Sequence, residues 1–434
     1  MIQNIILITF LFVLTVSSAS AQHEWTLQEC TNYAVENNIQ IKKSEQSLES
    51  QEIRLNSSQN AFLPEVSASA SQNFSFGRGL TANNTYSNTN THTTSFSVGA
   101  SMTLFNGFQR KNNVELNKLN LSAYSADLEK TKNDIRLQVA QAYVQILYNM
   151  EIEDVAYRQT QIDFAQVNRL ETFVANGKVS EAELAQQKAA HANSILIYTQ
   201  AINTRKLSLL TLSQLLELPS ADSFAIARPD TSQLSFVNYP LSINYDRPEI
   251  QAEEIRLDAT EYSLKVAKGG YYPILSLSGG MSTNYYTASN FPSESFSKQI
   301  DNNFSQYISL NLNIPIFNRF STRNNVREVK IQQHSQQYSL DLARKNLYKE
   351  IQQVTLNAEN AAAKVTAARE AVANSETAFR LAQARYENGK STITEFNESK
   401  NSYMKSQSDL AQAVYECMYC AMLVKWYQGE EMEW

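Results

Sequence analysis

Four stretches of the chain alternate between apolar and polar positions. Val66, Ala68 and Ala70 oppose Ser67, Ser69 and Ser71, and Phe96, Val98, Ala100, Met102 and Leu104 oppose Ser95, Ser97, Gly99, Ser101 and Thr103. Later, Leu275, Leu277, Gly279 and Met281 oppose Ser276, Ser278, Gly280 and Ser282, and Ile308, Leu310, Leu312, Ile314 and Ile316 oppose Ser309, Asn311 and Asn313. A period of two predicts strands with one apolar and one polar face. The polar face carries Ser, Thr, Asn and Gly rather than Lys or Glu, on segments of about ten residues, the pattern of strands that face lipid on one side and a lumen on the other. Half of a soluble sandwich would share the alternation. The connecting loops, 81–94 and 284–303, are rich in Asn, Thr and Ser. Four strands fall short of the roughly eight that close a membrane barrel. Lipid tolerates no open strand edge, because its backbone groups would go unsatisfied. Strands of this kind therefore imply a barrel shared between chains.

Between these strands the period changes. Residues 107–175 hold no proline and no glycine past the first position, and 319–388 hold neither. At 1.5 Å per residue each predicts a helix of about 100 Å. Ile351, Val354, Ala358, Ala361, Val365, Ala368 and Val372 step by three and four, the 3.5-residue period of supercoiled helices. Gly177 and Gly389 are placed to end the long helices. Ser180-x-x-Glu183 and Thr392-x-x-Glu395 have the form of capping boxes opening return helices that run to about Leu216 and Trp426. Leading helices, 27–61 and 249–268, run up to Pro64 and Pro273, which mark the helix–strand junctions. The leading and return helices are each about half-length, which predicts that they stack end to end beside the long ones.

The chain is written twice. Phe105-Asn106-Gly107-Phe108 with Asn112-Asn113-Val114 recurs as Phe317-Asn318-Arg319-Phe320 with Asn324-Asn325-Val326, and Asn176-Gly177-Lys178 recurs as Asn388-Gly389-Lys390. An ordered series of matches at one spacing predicts two structural repeats, 22–218 and 245–428, joined by a linker at 219–244 and followed by a short tail, 429–434.

Composition adds the compartment. Ile2 to Val16 is almost wholly apolar and is followed by Ala19-Ser20-Ala21, an export signal with cleavage expected before Gln22, although no Lys or Arg precedes Lys42. The apolar run is shorter than the roughly 20 residues of a spanning helix. Only 18% of residues are charged and the net charge is −6, which argues against a nucleic-acid partner. Gly77-x-Gly79-x-x-Ala82 opens no helix, and Ala384 stands where a phosphate loop ending Gly389-Lys390-Ser391 needs its first glycine. Cys417-x-x-Cys420 lies late in a predicted helix and reads as packing rather than redox chemistry. The four histidines lie far apart, with no metal spacing. No catalytic constellation and no cofactor motif is present.

This order of elements, these turns and this export signal resemble the TolC family of outer-membrane efflux proteins over essentially the whole mature chain. Trp25-Thr26-Leu27-Gln28-Glu29-Cys30 with Asn37-Asn38 is similar to the family's opening helix, Arg247-Pro248-Glu249-Ile250 to the start of its second repeat, and Tyr386-x-x-Gly389 to its periplasmic turn. The resemblance implies a long α-helical coiled-coil barrel with four transmembrane strands per chain, closed as a homotrimer with twelve strands and continued by twelve helices. It implies a passive outer-membrane channel with a large periplasmic extension, docked to a periplasmic adaptor and an inner-membrane transporter. It also maps Glu395 and Glu398 onto an acidic constriction, Tyr386 onto a gate tyrosine and Glu183 onto its acidic partner, while Ser391 replaces a gate arginine. The exposed turns Gly177-Lys178 and Gly389-Lys390 would suit adaptor docking. End-to-end stacking would bring Cys30 toward Cys417 or Cys420, in a compartment that favours a disulfide. An exported coiled-coil surface protein shares the export signal, helices and loops, but not a reason for two pairs of membrane-type strands.

Overall fold

A computed structural model of the chain describes residues 24–80, 84–220, 224–229, 246–289 and 291–430. The export signal at 1–21, most of the linker and residues 431–434 lie outside the described residues. The elements are β1 (Glu24–Trp25), α1 (Leu27–Asn37), α2 (Ile39–Asn60), β2 (Glu65–Ser75), β3 (Arg78–Leu80), β4 (Tyr86–Asn88), β5 (Thr91–Asn106), α3 (Gln109–Ala175), α4 (Glu181–Leu215), β6 (Ala225–Ile226), α5 (Pro248–Gly269), β7 (Ile274–Ala288), α6 (Phe296–Asn302), β8 (Ser305–Asn313), α7 (Ser321–Glu387) and α8 (Ile393–Gln428). Two compact units form, each drawing on both sequence repeats. One, helical, comprises the chain up to Ser44 with Leu128–Arg247 and Arg344–Trp434; the other, containing the sheet, comprises Glu45–Asp127 and Pro248–Ala343.

In the sheet unit, β2, β5, β7 and β8 form one antiparallel sheet in the order β2-β5-β7-β8. The alternation continues past β8 in sequence, through Ile314 and Ile316, but the strand stops at Asn313. Pro315 has no N–H to give to a ladder, so pairing ends before it. The helices before β2 and β7 end at Asn60 and Gly269, short of the prolines; Pro64 and Pro273 instead stand immediately before the first strand residues.

The strand-to-helix corner has the same backbone in both repeats. Gly107 and Phe108 take φ of 65° and 61°, and Arg319 and Phe320 take 55° and 62°. Glycine is needed at the first corner for space as well as for φ, since a Cβ on Gly107 would collide with the Gly269 carbonyl. The second corner carries Arg319, whose left-handed φ places strain where the glycine is missing. Arg110 braces the first corner, with Nη1 donating to the Ala61 carbonyl at 3.0 Å, Nη2 to the Thr103 carbonyl, and the guanidinium over the Phe62 ring.

In the helical unit, α3 and α7 are 67 residues each and end in the same motif. Lys178 N donates to Phe173 O and Gly177 N to Val174 O, each at 2.9 Å; Lys390 N and Gly389 N repeat this to Arg385 O and Tyr386 O at 2.8 and 3.0 Å. Gly177 and Gly389, at φ of 66° and 68°, supply the left-handed residue that this termination requires. At Ser180 and Thr392 the hydroxyl accepts from the N3 amide. The reciprocal box, with the glutamate reaching back to the cap, forms at Thr26 with Glu29.

The leading helix 27–61 is broken. Asn38 leaves the helical region at ψ 131°, and α2 begins at Ile39. The Asn38 side chain donates to the Leu215 carbonyl at 2.9 Å, while its Oδ1 accepts from Gln40 N at 2.8 Å. The Glu217 carboxylate accepts from Ile39 N at 3.2 Å, so α4 ends where α2 begins. In the second repeat, Arg247 stacks on Trp426 and Tyr427 at the end of α8, one residue before α5 starts. In the first repeat the half-length helices thus meet end to end.

That pairing removes the expected disulfide. The last turns of α8 meet Arg247, whereas Cys30 lies on α1 close to Tyr143. All three cysteines are free and buried. Cys417 and Cys420, with Ala413 on the same helix, pack against Ala361 and Val365 of the small-residue seam of α7. Burial pushes the Cys30 thiol up to about 12 and the other two up to about 11, so all three are neutral packing groups. The linker contributes β6, which pairs in parallel with β1, and the Tyr143 hydroxyl reaches the Trp25 and Ala227 carbonyls at 3.0 and 2.7 Å.

Candidate functional site

The sheet presents two chemically distinct faces. Register aligns Ser69, Ser97, Ser282 and Ser305 in one row across all four strands. Ser69 and Ser97 hydroxyls lie 2.8 Å apart and those of Ser282 and Ser305 3.0 Å apart, so the row is a serine belt whose hydroxyls pair two by two. The next row on that face holds Ser67, Gly99, Gly280 and Tyr307, and the one after it Glu65, Ser101, Ser278 and Ser309. The other face aligns Val66, Ala100, Gly279 and Ile308, then Ala68, Val98 and Met281, with Met102, Leu277 and Leu310 on the far side. Apart from a short helix, α6, at its loop end, no layer among the described residues covers that face in the sheet unit: Ile308 is 87% exposed and Leu310 64%. A soluble sheet would bury such a face; one facing acyl chains need not.

Aromatic rings stand exposed at both ends of the apolar face. Phe62, Tyr271, Tyr272, Phe317 and Phe320 lie at the strand–helix corners; Phe74, Phe76, Phe96, Phe296 and Phe304 lie toward the loops. Two aromatic bands bracketing an apolar band mark the two interfaces of a membrane. Among the described residues no helix is long and apolar enough to cross a membrane, so the strands alone carry the membrane pattern.

At the tip of the helical unit, the structure brings Tyr386 and Glu183 together. Tyr386 is half-buried, stacks on Phe396 at 5.4 Å and has Gln166, Glu183 and Arg169 around its hydroxyl. Burial, then the Glu183 charge, raises its pKa, so it stays a neutral hydrogen-bonding group. Arg169 also pairs with Glu387 at 2.9 Å, tying α3 to the end of α7. Behind Tyr386 the rings of Phe396, Phe379 and Tyr403 continue in a ladder over buried Leu170 and Ile393. Glu395 and Glu398 are exposed, on the side of α8 opposite buried Ile393, Phe396 and Lys400. Gly177, Lys178, Gly389 and Lys390 are exposed at the two turns, and the Ser391 hydroxyl is buried with no partner.

Sequence reasoning missed a buried polar ring just beyond the ladder. Asp163 of α3 accepts from Lys400 of α8 and, at 2.9 Å, from Gln187 of α4. Lys400 also donates to Asn397 at 3.2 Å, and Asn397 donates back to Gln187 at 3.2 Å. Asp163 and Lys400 are both essentially inaccessible to solvent. Among the described residues no group of His, Cys, Asp and Glu is disposed to hold a metal ion.

A sheet with one hydroxyl face and one uncovered apolar face, joined in one chain to antiparallel helical hairpins, defines a subunit of a membrane channel. The chain belongs to the outer membrane efflux protein family, whose model matches residues 31–217 and 243–417. It is 22% identical over 403 residues to the outer membrane efflux protein BepC of Brucella suis biovar 1 (strain 1330), covering 93% of this chain and 85% of that protein. Its fold is similar to the Campylobacter jejuni CmeC outer membrane channel, with a TM-score of 0.79 at 18% identity, covering 94% of this chain and 87% of that one. It is likewise similar to the open-state Neisseria gonorrhoeae MtrE outer membrane channel, with a TM-score of 0.76 at 19% identity, covering 94% and 89%. The protein is an outer-membrane channel component and not an enzyme.

Proposed function

We propose that three copies of this chain close one twelve-stranded barrel and act as the passive outer-membrane conduit of an export assembly that also contains a periplasmic adaptor and an inner-membrane transporter. The observation that carries this reading is the two-faced sheet with both outer strands, β2 and β8, unpaired on one side. An open edge in lipid is excluded, and joining β8 of one copy to β2 of the next satisfies it. The serine belt then becomes a ring of uncharged hydroxyls, which lets varied cargo pass without a dedicated binding pocket. Reconstitution tests the reading: a heat-resistant trimer that conducts ions across a planar bilayer is expected. A water-soluble elongated dimer would instead favour a coiled-coil surface protein.

The helical tip is the gate on this reading. Tyr386 held by Gln166 and Glu183 keeps the α7–α8 turn against α3 and α4, while Glu395 and Glu398 gather around the three-fold axis and concentrate cations. Support comes from the convergence of residues from both repeats at Tyr386 and from the exposure of the two glutamates. Replacing both by Gln is expected to lower cation selectivity and weaken block by multivalent cations in single-channel recordings. Unaltered selectivity and block would return them to the status of ordinary surface charges.

The turns Gly177-Lys178 and Gly389-Lys390 are the proposed docking surface for the adaptor. Both lysines are exposed beside rigidly terminated helices. Lys178→Ala with Lys390→Ala should reduce adaptor pull-down at unchanged trimer yield; equal pull-down would remove the lysines from the docking surface.

A further inference from the structure

The long second loop is not loose chain. α6 packs on β7, and the side of the strand it uses is fixed by register. Thr283 Oγ1 donates to the Ile300 carbonyl at 2.6 Å, and the Tyr285 ring meets Phe296 at 5.1 Å. Thr283 and Tyr285 alternate with Ser282 and Asn284, so they share the face of Met281 and Leu277, opposite the serine belt. Phe304, one residue before Ser305, stands on that same apolar face.

The height is fixed as well. Along the apolar face the rows run Met102–Leu277–Leu310, Ala100–Gly279–Ile308, Val98–Met281–Gln306 and Phe96–Thr283, then turn polar at Gln72–Thr94–Tyr285, with Phe74–His92–Thr287 beyond. α6 touches the last apolar row and the first polar one. An open groove of about 480 Å³ lies beside it, lined by Ala68, Ala70, Phe96, Val98, Met281, Thr283 and Phe304 of the apolar face, with Ser69, Ser97 and Ser282 of the serine row also contributing to its wall.

The same segment solves an edge problem. β8 starts at Ser305, opposite Ser282, so beyond that row β7 continues through Asn284 and Tyr286, paired to β5 on one side and met by α6 and the residues after it on the other. Asn303 Nδ2 donates to the Asn284 carbonyl at 2.7 Å; Gln299 Oε1 accepts from Tyr286 N at 2.9 Å and its Nε2 donates to Tyr286 O at 3.0 Å. Two side-chain amides thus stand in for a strand. Such care is unnecessary in water, which would satisfy those groups itself, and necessary at a lipid boundary.

We propose that residues 291–304, seated on Thr283 and Tyr285 of β7, form an interfacial collar on the outside of the barrel at the outer boundary of the hydrocarbon layer, with membrane-lipid acyl chains lying in the groove between Phe96 and Phe304. The occupant follows from continuity: groove and collar extend the lipid-facing surface without a break. The inference rests on the barrel reading above and adds a lipid contact made by a loop that topology alone would place in water.

Spin labels on full-length protein in phospholipid vesicles test it, through collision with oxygen, which partitions into lipid, and with a water-soluble nickel chelate. Labels are placed by Phe296→Cys and Phe304→Cys, with Leu310→Cys as the mid-membrane reference and Asn88→Cys as the outer-loop reference. The native thiols are buried and stay unlabelled in folded protein. Positions 296 and 304 are expected to give oxygen-to-nickel ratios several-fold above that of position 88 and below that of position 310. Ratios equal to that of position 88 would overturn the collar, as would protection from both reagents, which would mean that a neighbouring chain covers it. A water-like ratio at position 310 would instead overturn the barrel reading. If Phe296→Cys does not assemble, Phe304→Cys decides alone.

Discussion

Leu310→Arg is expected to cost about 2–4 kcal/mol of membrane insertion, and Asn311→Ala next to it very little. The side chains lie one residue apart on β8 and face opposite sides of the sheet. Leu310 pairs across to Leu277, in the fourth row counted inward from the polar boundary at Tyr285, where lipid is deep and an unpaired guanidinium is expensive. Asn311 pairs with Ser276 on the hydroxyl face, where water replaces whatever the amide loses. The contrast amounts to tens- to hundreds-fold in the insertion equilibrium, readable as the fraction of heat-resistant trimer recovered in bilayers along a urea series. Snorkelling cannot rescue an arginine so far from either aromatic band as fully as it would at Phe304 or Phe317. Equal recovery of the two variants would mean that the faces are not divided between lipid and lumen, and both the conduit and the collar would fall with that division.

The parts of this fold visible in the sequence are those whose physics is local. Period-two alternation fixes which face of each strand is apolar, because successive side chains point to opposite sides whatever else the protein does. The long helices could be measured by the absence of proline and glycine, and the Gly177 and Gly389 turns by the φ they demand. The break at Asn38 was invisible for the opposite reason. Asn38 lies in an unbroken helical pattern, and only its bond to the Leu215 carbonyl, 177 residues away, explains the turn of the backbone. The missing end of β8 is a case of competition, in which Pro315 overrides an alternation that continues past it. The cysteine pairing failed because stacking was read correctly but with the wrong partners: α4 meets α2 and α8 meets Arg247, a choice no local signal encodes. At the tip, the resemblance points to Tyr386 and Glu183 but not to Gln166 and Arg169 beside them, since neither residue type is unusual on a helix face. Lys400 is the sharpest miss. A lysine in a long polar helix reads as a solvated charge, and nothing near it in sequence announces a partner 237 residues earlier.

That buried pair gives the largest expected effect on the helical unit. Lys400→Met is expected to destabilise the packing of α8 against α3 by about 3–5 kcal/mol, because it leaves the Asp163 carboxylate buried without its counter-ion. One Asp163 oxygen already lacks a partner, so the other carries the whole interaction, shared between the Lys400 ammonium and the Gln187 amide. Gln187 alone is a neutral donor and cannot replace an ammonium. The double variant Asp163→Leu with Lys400→Met should recover most of the loss, since two apolar groups of similar size satisfy the site without any charge. Native-state hydrogen exchange over residues 160–170 reads this as a local opening free energy, free of the ambiguities of unfolding a membrane trimer. The comparison also separates two roles. If the pair merely tolerates burial, the double variant regains stability and conducts like the parent. If its geometry instead sets how α8 sits against α3 and α4, the double variant is stable yet conducts with altered open probability. The Asn397–Gln187 half of the ring would then hold the helices in a register that the charged half no longer specifies. A loss below about 1 kcal/mol for Lys400→Met would place the pair in the range of solvated ion pairs and mean that these three helices do not hold Asp163 away from water.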